Sequence, residues 1–291
     1  VPVLPAALRD LLDVLRCPLC REPLDAATGG LRCPAGHAFD ASRAGYVSLL
    51  GGGGAVSGDD DAMARARERF LGTGAYAPLL QALGDLAAEH VRAVGAAPAA
   101  AGAAPTLLDV GCGPGYYLAG ALERFPSARG LGLDTSTRSL RFAARAHPRA
   151  AACGADVFAP LPLQDDAADL VLDVFAPRHG AEFARVLRPD GALLVARPAA
   201  DHLLELREAV PGMVSVDPRK EERLHSALDP WFTTVEQREV RFALPLTPER
   251  ARDLVAMTPS ARHVDPTDLD QALPAGTTVT VAVLVSAHRP R

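Results

Sequence analysis

The chain has 291 residues, 48% of them hydrophobic, with 30 Lys and Arg against 35 Asp and Glu and a formal net charge of −5. That is enough apolar chain for one full α/β domain plus a small module; the acidic balance argues against non-specific nucleic-acid binding, which demands a basic face, and no stretch is long and apolar enough to span a membrane. No charged segment followed by an apolar core and cleavage site opens the sequence, so a cytoplasmic protein is expected, and five cysteines, an odd number with three near the start, argue for reduced thiols over a disulfide framework.

Cys17 and Cys20 stand two residues apart, and twelve residues later Cys33 and His37 stand three apart. A C-x2-C followed by C-x3-H has the spacing of a tetrahedral zinc site. Two thiolates donate from one knuckle turn, and residues 25–31 carry the turn residues of a hairpin that returns Cys33 and His37 to close the shell. No position is left open for a substrate, so the Zn2+ read here is structural. Cys112 and Cys153 fit no such spacing and read as small packing residues.

Residues 51–61 hold a run of glycines and then Asp59, Asp60 and Asp61, a composition that reads as a flexible joint with a hinge over 51–58. Residues 62–71 turn helical, with the three aspartates as capping candidates and Arg65, Arg67 and Arg69 as a modest basic stripe or, equally, a solvated face. An amphipathic helix is expected over 79–94 and a small-residue linker over 96–105. The expected organisation is therefore a zinc-binding module over 1–50, a joint and helical linker over 51–105, and a larger domain over 106–291.

Leu107 and Leu108 lead an apolar strand to Asp109, and the chain then passes through Gly111, Gly113 and Gly115. The dinucleotide fingerprint would read G-x-G-x-x-G, whereas the order here is D-x-G-x-G-x-G, with the acid first. This order resembles that of S-adenosylmethionine (AdoMet)-dependent methyltransferases. The glycines let backbone approach the methionine part of the cofactor, where a Cβ would collide, and Asp109 can act on the turn's donors or on the cofactor ammonium.

A glycine triplet alone is weak, but support follows it. Residues 130–134 form a second apolar strand ending at Asp134, where a doubly wound fold places its ribose-binding carboxylate. Asp156 ends another strand and suits the adenine amino group, with Val157 able to cover the ring. Residues 168–175 read as a buried strand and 182–196 as helix, turn and strand. Alternation over 106–198 calls for a parallel sheet covered on both faces, with cofactor at the carboxyl ends of its strands. Beyond it come a helix over 201–209, a loop with Pro211, Gly212 and Pro218, and strand-like segments over 235–244 and 277–285 that would close the sheet with an antiparallel pair.

Taken together, Cys17 to His37, Gly45-Tyr46-Val47, residues 74–79, Asp109 to Tyr117, Phe175-Ala176-Pro177 and residues 201–206 resemble the zinc-containing 23S rRNA guanine-N1 methyltransferases, a family that includes the macrolide (tylosin-type) resistance methyltransferases. The similarity covers nearly the whole length. It implies an α/β fold, a class I AdoMet-dependent methyltransferase with a Rossmann-like, doubly wound sheet and a small N-terminal zinc-binding module. It also implies zinc on Cys17, Cys20, Cys33 and His37, and AdoMet contacts from Tyr76, Gly115, Tyr116 and His202. The zinc module is expected to help grip RNA, leaving a cleft between it and the catalytic domain. Ser48 stands where the family has asparagine, Ala75 where it has histidine and Arg262 where it has tryptophan, and the 51–61 linker is acidic where basic residues would hold phosphate. Arg262 can still stack on a base.

A sulfonium methyl is already activated, so the protein's task is to hold a nucleophile in line behind it and exclude water. If that nucleophile is guanine N1, its proton must leave, and Asp173, His179 and His202 are the candidate acceptors. The leading expectation is methylation of a guanine N1 in a 23S rRNA hairpin, with macrolide resistance as the outcome. A small-molecule substrate on the same fold is the alternative that the acidic linker favours. A zinc-stabilised RNA-binding protein without catalysis conflicts with the glycines and all three acids of the cofactor site. A homodimer on the RNA is left open.

Overall fold

The computed structural model describes residues 3–51, 58–91, 104–214, 220–265, 269, 272 and 277–291. Residues 52–57 of the hinge expected over 51–58, most of the 96–105 linker and Pro218 lie outside the described residues. Among those described, no helix is long and apolar enough to cross a membrane.

The chain opens with the short helix α1 (Ala6–Arg9), followed by three short antiparallel strands, β1 (Asp25–Ala27), β2 (Gly30–Arg32) and β3 (Ala38–Asp40). The hairpin expected over 25–31 is the β1–β2 pair, with Ala27 opposite Gly30. β4 (Val47–Ser48) leaves this small sheet and joins the large one. Residues expected inside the zinc module therefore contribute an edge strand to the main domain.

Helix α2 (Asp61–Gly72) begins at Asp60, whose carboxylate accepts the Met63 N–H, and α3 (Ala77–His90) has Pro78 in its first turn, where a missing N–H costs nothing. α3 was expected to reach residue 94. It ends at His90, with Val91 already extended. Then come β5 (Thr106–Val110), α4 (Tyr116–Arg124), β6 (Arg129–Asp134), α5 (Thr137–Ala143), β7 (Ala150–Gly154), β8 (Ala168–Val174), α6 (Gly180–Val186), β9 (Leu187–Pro198), α7 (Leu204–Ala209), α8 (Lys220–Leu228), β10 (Phe232–Pro245), α9 (Pro248–Ala256) and β11 (Thr278–Pro290).

The large sheet has eight strands in the order β10-β11-β9-β8-β5-β6-β7-β4. β4 through β9 pair in parallel, and β11 runs antiparallel between β9 and β10, the antiparallel finish expected from residues 235–244 and 277–285. β5, β7 and β8 are buried at every position, because helices or the N-terminal module cover both faces and leave no solvent side to alternate toward. The order reverses between β5 and β8, the switch point at whose carboxyl ends sheets of this kind place the crevice for a ligand.

Two local expectations shift. The turn expected between helix and strand near 189–191 is a bulge within one continuous β9: Ala168 pairs with Leu187 but Leu170 with Ala192. The helix expected from 201 starts at Leu204, after a turn that puts Leu203 at φ 54.

The N-terminal module is part of the core. Leu8, Leu11, Leu15, Leu24 and Leu31 share one apolar cluster with Leu108, Leu131, Leu161, Leu163 and Phe183 of the main domain. Polar contacts close the same seam: the Arg16 N–H donates to Pro162 O at 2.9 Å, and the Arg21 guanidinium donates to Leu161 O at 2.6 Å and Leu163 O at 2.7 Å. The expected cleft between module and domain is absent along this seam, because the leucines of α1 and the following turns cover sheet surface that a crossover helix would otherwise cover.

Candidate metal centre and cofactor site

Cys17 and Cys20 flank a turn in which the Cys17 N–H donates to Glu22 O and the Arg21 N–H donates to Cys17 O. Arg21 takes φ 65 to close it. Cys33 and His37 flank a second turn, in which the Cys33 N–H donates to His37 O. The two turns bring four ligand atoms within 4.8 Å of one another. Cys20 Sγ lies 3.6 Å from Cys33 Sγ, and His37 Nδ1 lies 3.3 Å from Cys33 Sγ and 3.5 Å from Cys17 Sγ. A tetrahedral Zn2+ with sulfur ligands at about 2.3 Å sets its sulfurs about 3.7 Å apart, so these separations fit that ion. All four sequence-derived ligands converge, and Nδ1 is the histidine nitrogen turned to the thiols. Cys112 and Cys153 are buried elsewhere, as packing residues should be.

At the carboxyl end of β5 the glycine turn has the geometry its sequence requires. Gly111, Gly113 and Gly115 take φ 74, 52 and 84, values that side chains resist. A Cβ on Gly111 would come 2.6 Å from the Ala176 side chain, and one on Gly115 3.0 Å from the Ala143 backbone. Gly115 ends the turn and α4 starts at Tyr116. The turn's own N–H groups are engaged, Gly111 and Cys112 donating to Leu133 O, Gly113 to Asp134 and Gly115 to Cys112 O, so the donors left for an anion are those of the helix N-terminus.

Asp109 is fully buried, and its Oδ2 has no hydrogen-bond partner. Burial, reinforced by the charges of Asp134 and Asp173, pushes its carboxyl up to about 8. A buried carboxylate with an orphaned oxygen is costly unless something cationic or donating completes it. Asp134 is also raised, by burial first, although it accepts the Gly113 N–H at 2.8 Å and the Ser136 N–H at 2.7 Å. It thereby pins the glycine turn to the start of α5. Asp156 Oδ1 accepts the Phe158 N–H at 2.9 Å, and Val157 is buried beside it. The orphaned Asp109 oxygen and the Cβ-free cradle fit the amino-acid end of AdoMet, and the acids at the next two strand ends fit its nucleoside.

Tyr76, His202 and Tyr116 reach this region from outside the sheet. Tyr76 is buried at the entrance to α3, its ring edge-on to Phe70, Phe175 and Phe242. His202 lies 6.0 Å from Phe175, ring centre to ring centre, so Phe175 joins the two residues into one aromatic row. His202 Nδ1 accepts the Ala282 N–H at 3.3 Å, which leaves the neutral ring's proton on Nε2. Half-buried Tyr116 packs edge-on against Tyr117.

Asp173, His179 and the Phe175-Ala176-Pro177 segment gather at the end of β8. Asp173 is fully buried; its Oδ2 accepts from Arg178 Nε at 2.9 Å, while Oδ1 has no partner. Burial raises its carboxyl to about 6, with Arg178 pulling the other way. His179 caps α6 and bonds through Nδ1 to Val157 O at 3.2 Å. Phe175 sits 38% exposed at φ 56, a left-handed conformation rare for a large side chain and typical of functional positions. Arg178 and Phe175 have no periodic signal that would single them out in the sequence.

The helix before this site is ion-paired. Arg65 meets Asp61, Arg67 meets Asp59 and Arg69 meets Asp253. Each arginine of the stripe expected over 65–69 therefore has an acid partner, Arg65 and Arg67 from the joint and Arg69 from α9.

Residues 15–51 match the family described as RlmA, N-terminal, a zinc ribbon, and residues 107–191 match a methyltransferase domain. A putative 23S rRNA (guanine-N(1)-)-methyltransferase of Micromonospora griseorubida is 47% identical over 97% of this chain and 99% of its own length. The chain belongs to the 23S rRNA (guanine-N1) methyltransferase family. A second member, the 23S rRNA (guanine(748)-N(1))-methyltransferase of Streptomyces fradiae, is 43% identical over 97% of this chain and 99% of its own. A third, from Bacillus subtilis, is 37% identical over 67% and 68%. As a member of this methyltransferase family, the chain is an AdoMet-dependent enzyme whose zinc ribbon has its ligands in place.

Proposed function

We propose that this methyltransferase modifies N1 of a guanine in a 23S rRNA hairpin in the cytoplasm and so confers macrolide resistance. The observation that carries the reading is the near full-length match to two guanine-N1 methyltransferases, spanning zinc ribbon and catalytic domain together. The zinc module over 1–50, with Leu19 exposed on its knuckle, serves as an RNA grip fixed to the sheet.

Bound AdoMet supplies a methyl group already activated on sulfonium. The chain's own residues then bind, orient and move one proton. Asp109 would receive the cofactor ammonium, the backbone at Gly111 to Gly115 would hold the methionine part, Asp134 would accept from the ribose hydroxyls, and Asp156 and Val157 would hold the adenine. Tyr76, Tyr116 and His202 wall the site and exclude water. A base flipped from its hairpin stacks on Phe175, whose exposed ring suits a sequence-tolerant platform. The proton at guanine N1 passes to Asp173 Oδ1, which Arg178 orients through the other oxygen. His202 is a poorer acceptor, because its Nδ1 lone pair is engaged by Ala282.

Primer extension on 23S rRNA incubated with protein and AdoMet tests the reading, since a methyl on guanine N1 blocks pairing and stops the polymerase. A single new stop at one guanine is expected. No stop, with AdoMet binding confirmed by calorimetry, would transfer the reaction to a small-molecule acceptor. That second reading draws on the ion pairing of Arg65 and Arg69, which leaves the exposed side of α2 little free positive charge for phosphate.

A further inference from the structure

AdoMet ends in an ammonium and a carboxylate, and the two need opposite partners. The crevice is rich in acceptors for the ammonium: Asp109, Asp134 and Asp173 stand close enough for Asp109 to feel both of the others. The cofactor carboxylate would be repelled by that set unless a cation faces it. Arg178, at the end of β8, is committed to Asp173.

Arg67 lies against the glycine turn. A Cβ built on Gly113 would come 3.2 Å from its Cδ and 3.8 Å from its Nε. Its charge reaches the buried Tyr76 hydroxyl, lowering it against the effect of burial; at Asp134 the same pull is opposed by the larger one of Asp59. Three anchors hold it there. Nε and Nη2 donate to Asp59 at 2.7 and 3.2 Å, and Nη2 also donates to Met257 O at 2.5 Å. Asp59 is itself fixed, because Ser136 Oγ donates to its backbone oxygen at 2.6 Å. Nη1 makes no hydrogen bond among the described residues. The guanidinium is thus clamped along one edge and retains donors for a further acceptor.

We propose that Arg67 is a cofactor-binding residue that receives the AdoMet carboxylate at the glycine turn, with Asp59 and Met257 O holding its guanidinium in place. The assignment rests on the cofactor and not on the RNA substrate, so it stands or falls separately from the guanine-N1 reading. It also gives Asp59 a purpose in a linker whose acids would otherwise oppose an anionic ligand: Asp59 positions the cation without saturating it.

The test compares AdoMet with decarboxylated AdoMet, which keeps sulfonium, amine and nucleoside and lacks only the carboxylate. Calorimetric titration of the full chain is expected to show wild type preferring AdoMet by about 10- to 100-fold, the range of one charge-assisted pair. Arg67→Ala should lose that factor for AdoMet and hold decarboxylated AdoMet within about twofold, abolishing the preference. Equal weakening of both ligands would reduce Arg67 to a brace for the turn and overturn the proposal, as would no change in either. Arg67→Gln retains a donor for Asp59 at the position of Nε and guards against a folding defect in the Ala variant; a folded Gln variant that kept the wild-type preference would also overturn it.

Discussion

Arg21 and Arg185 grip the same two carbonyls. Arg21, on the zinc knuckle, donates to Leu161 O and Leu163 O, and Arg185, on α6, donates to Leu163 O at 2.9 Å and Leu161 O at 3.1 Å. Glu182 holds Arg185 in turn and accepts the Leu161 N–H at 2.7 Å. A stretch of irregular backbone is thereby satisfied from both sides, which lets the module dock on the sheet without orphaned carbonyls.

Shared acceptors make the two arginines redundant in part. Arg21→Ala alone should cost about 1–2 kcal/mol, since Arg185 still serves both carbonyls. The double Arg21→Ala, Arg185→Ala variant should cost more than the sum of the singles, because only then are both carbonyls left without a guanidinium. Urea unfolding of the four proteins checks this; strict additivity would mean that the two clamps act independently.

Zinc should be removable only with loss of the docked module. Cys33→Ser is expected to drop bound zinc from one ion per four-ligand cluster to none and to lower the melting temperature, because the knuckle turn also carries Arg21. Metal analysis with thermal unfolding tests it, and a zinc-free variant that melted like wild type would show that the apolar seam suffices.

Asp109 places stability and cofactor binding in opposition. Its carboxyl is pushed up to about 8 in the folded chain against 3.8 for a free aspartate, so between those values the folded state binds more protons than the unfolded one. Stability contributed by this group therefore falls as pH rises from about 4 to about 8. Asp109→Asn should raise the melting temperature at pH 8 by roughly 5 °C, with the gain shrinking toward pH 4, and should weaken AdoMet about tenfold or more. Calorimetry at two pH values measures both; a variant less stable at pH 8 would show that the orphaned oxygen is not the strained element.

Asp173 must be ionised to accept a proton, and its carboxyl is raised to about 6. The rate under saturating AdoMet and RNA should rise with pH through about 6 and level off above it. Asp173→Asn should lower kcat by about 100-fold or more, leave AdoMet affinity within a few fold, and remove that acid limb. Single-turnover methylation across pH settles it, and an acid limb that survived in the Asn variant would move the proton to His179.

Elements whose signal is local could be read from the residues alone. Four ligands in two short turns, a glycine turn between strand and helix, and acids at Asp109, Asp134 and Asp156 each carry a signal in neighbours a few residues away; the four ligands converge, and the acids lie at or just past the carboxyl ends of β5, β6 and β7. The buried strands were legible because a parallel sheet covered on both faces leaves continuous apolar runs. Tertiary structure alone decided the rest. Val47 and Ser48 left the module for the large sheet because an open strand edge at β7 was there to pair with. Arg67 became a clamp over the glycine turn, and no longer one residue of a basic stripe, because Asp59 and Met257 O meet it there from opposite ends of the chain. Arg178 found Asp173, and Phe175 joined Tyr76 to His202. Charges and aromatic edges act through space over a few ångströms, so partners 190 residues apart in sequence leave no pattern for a local reading to find.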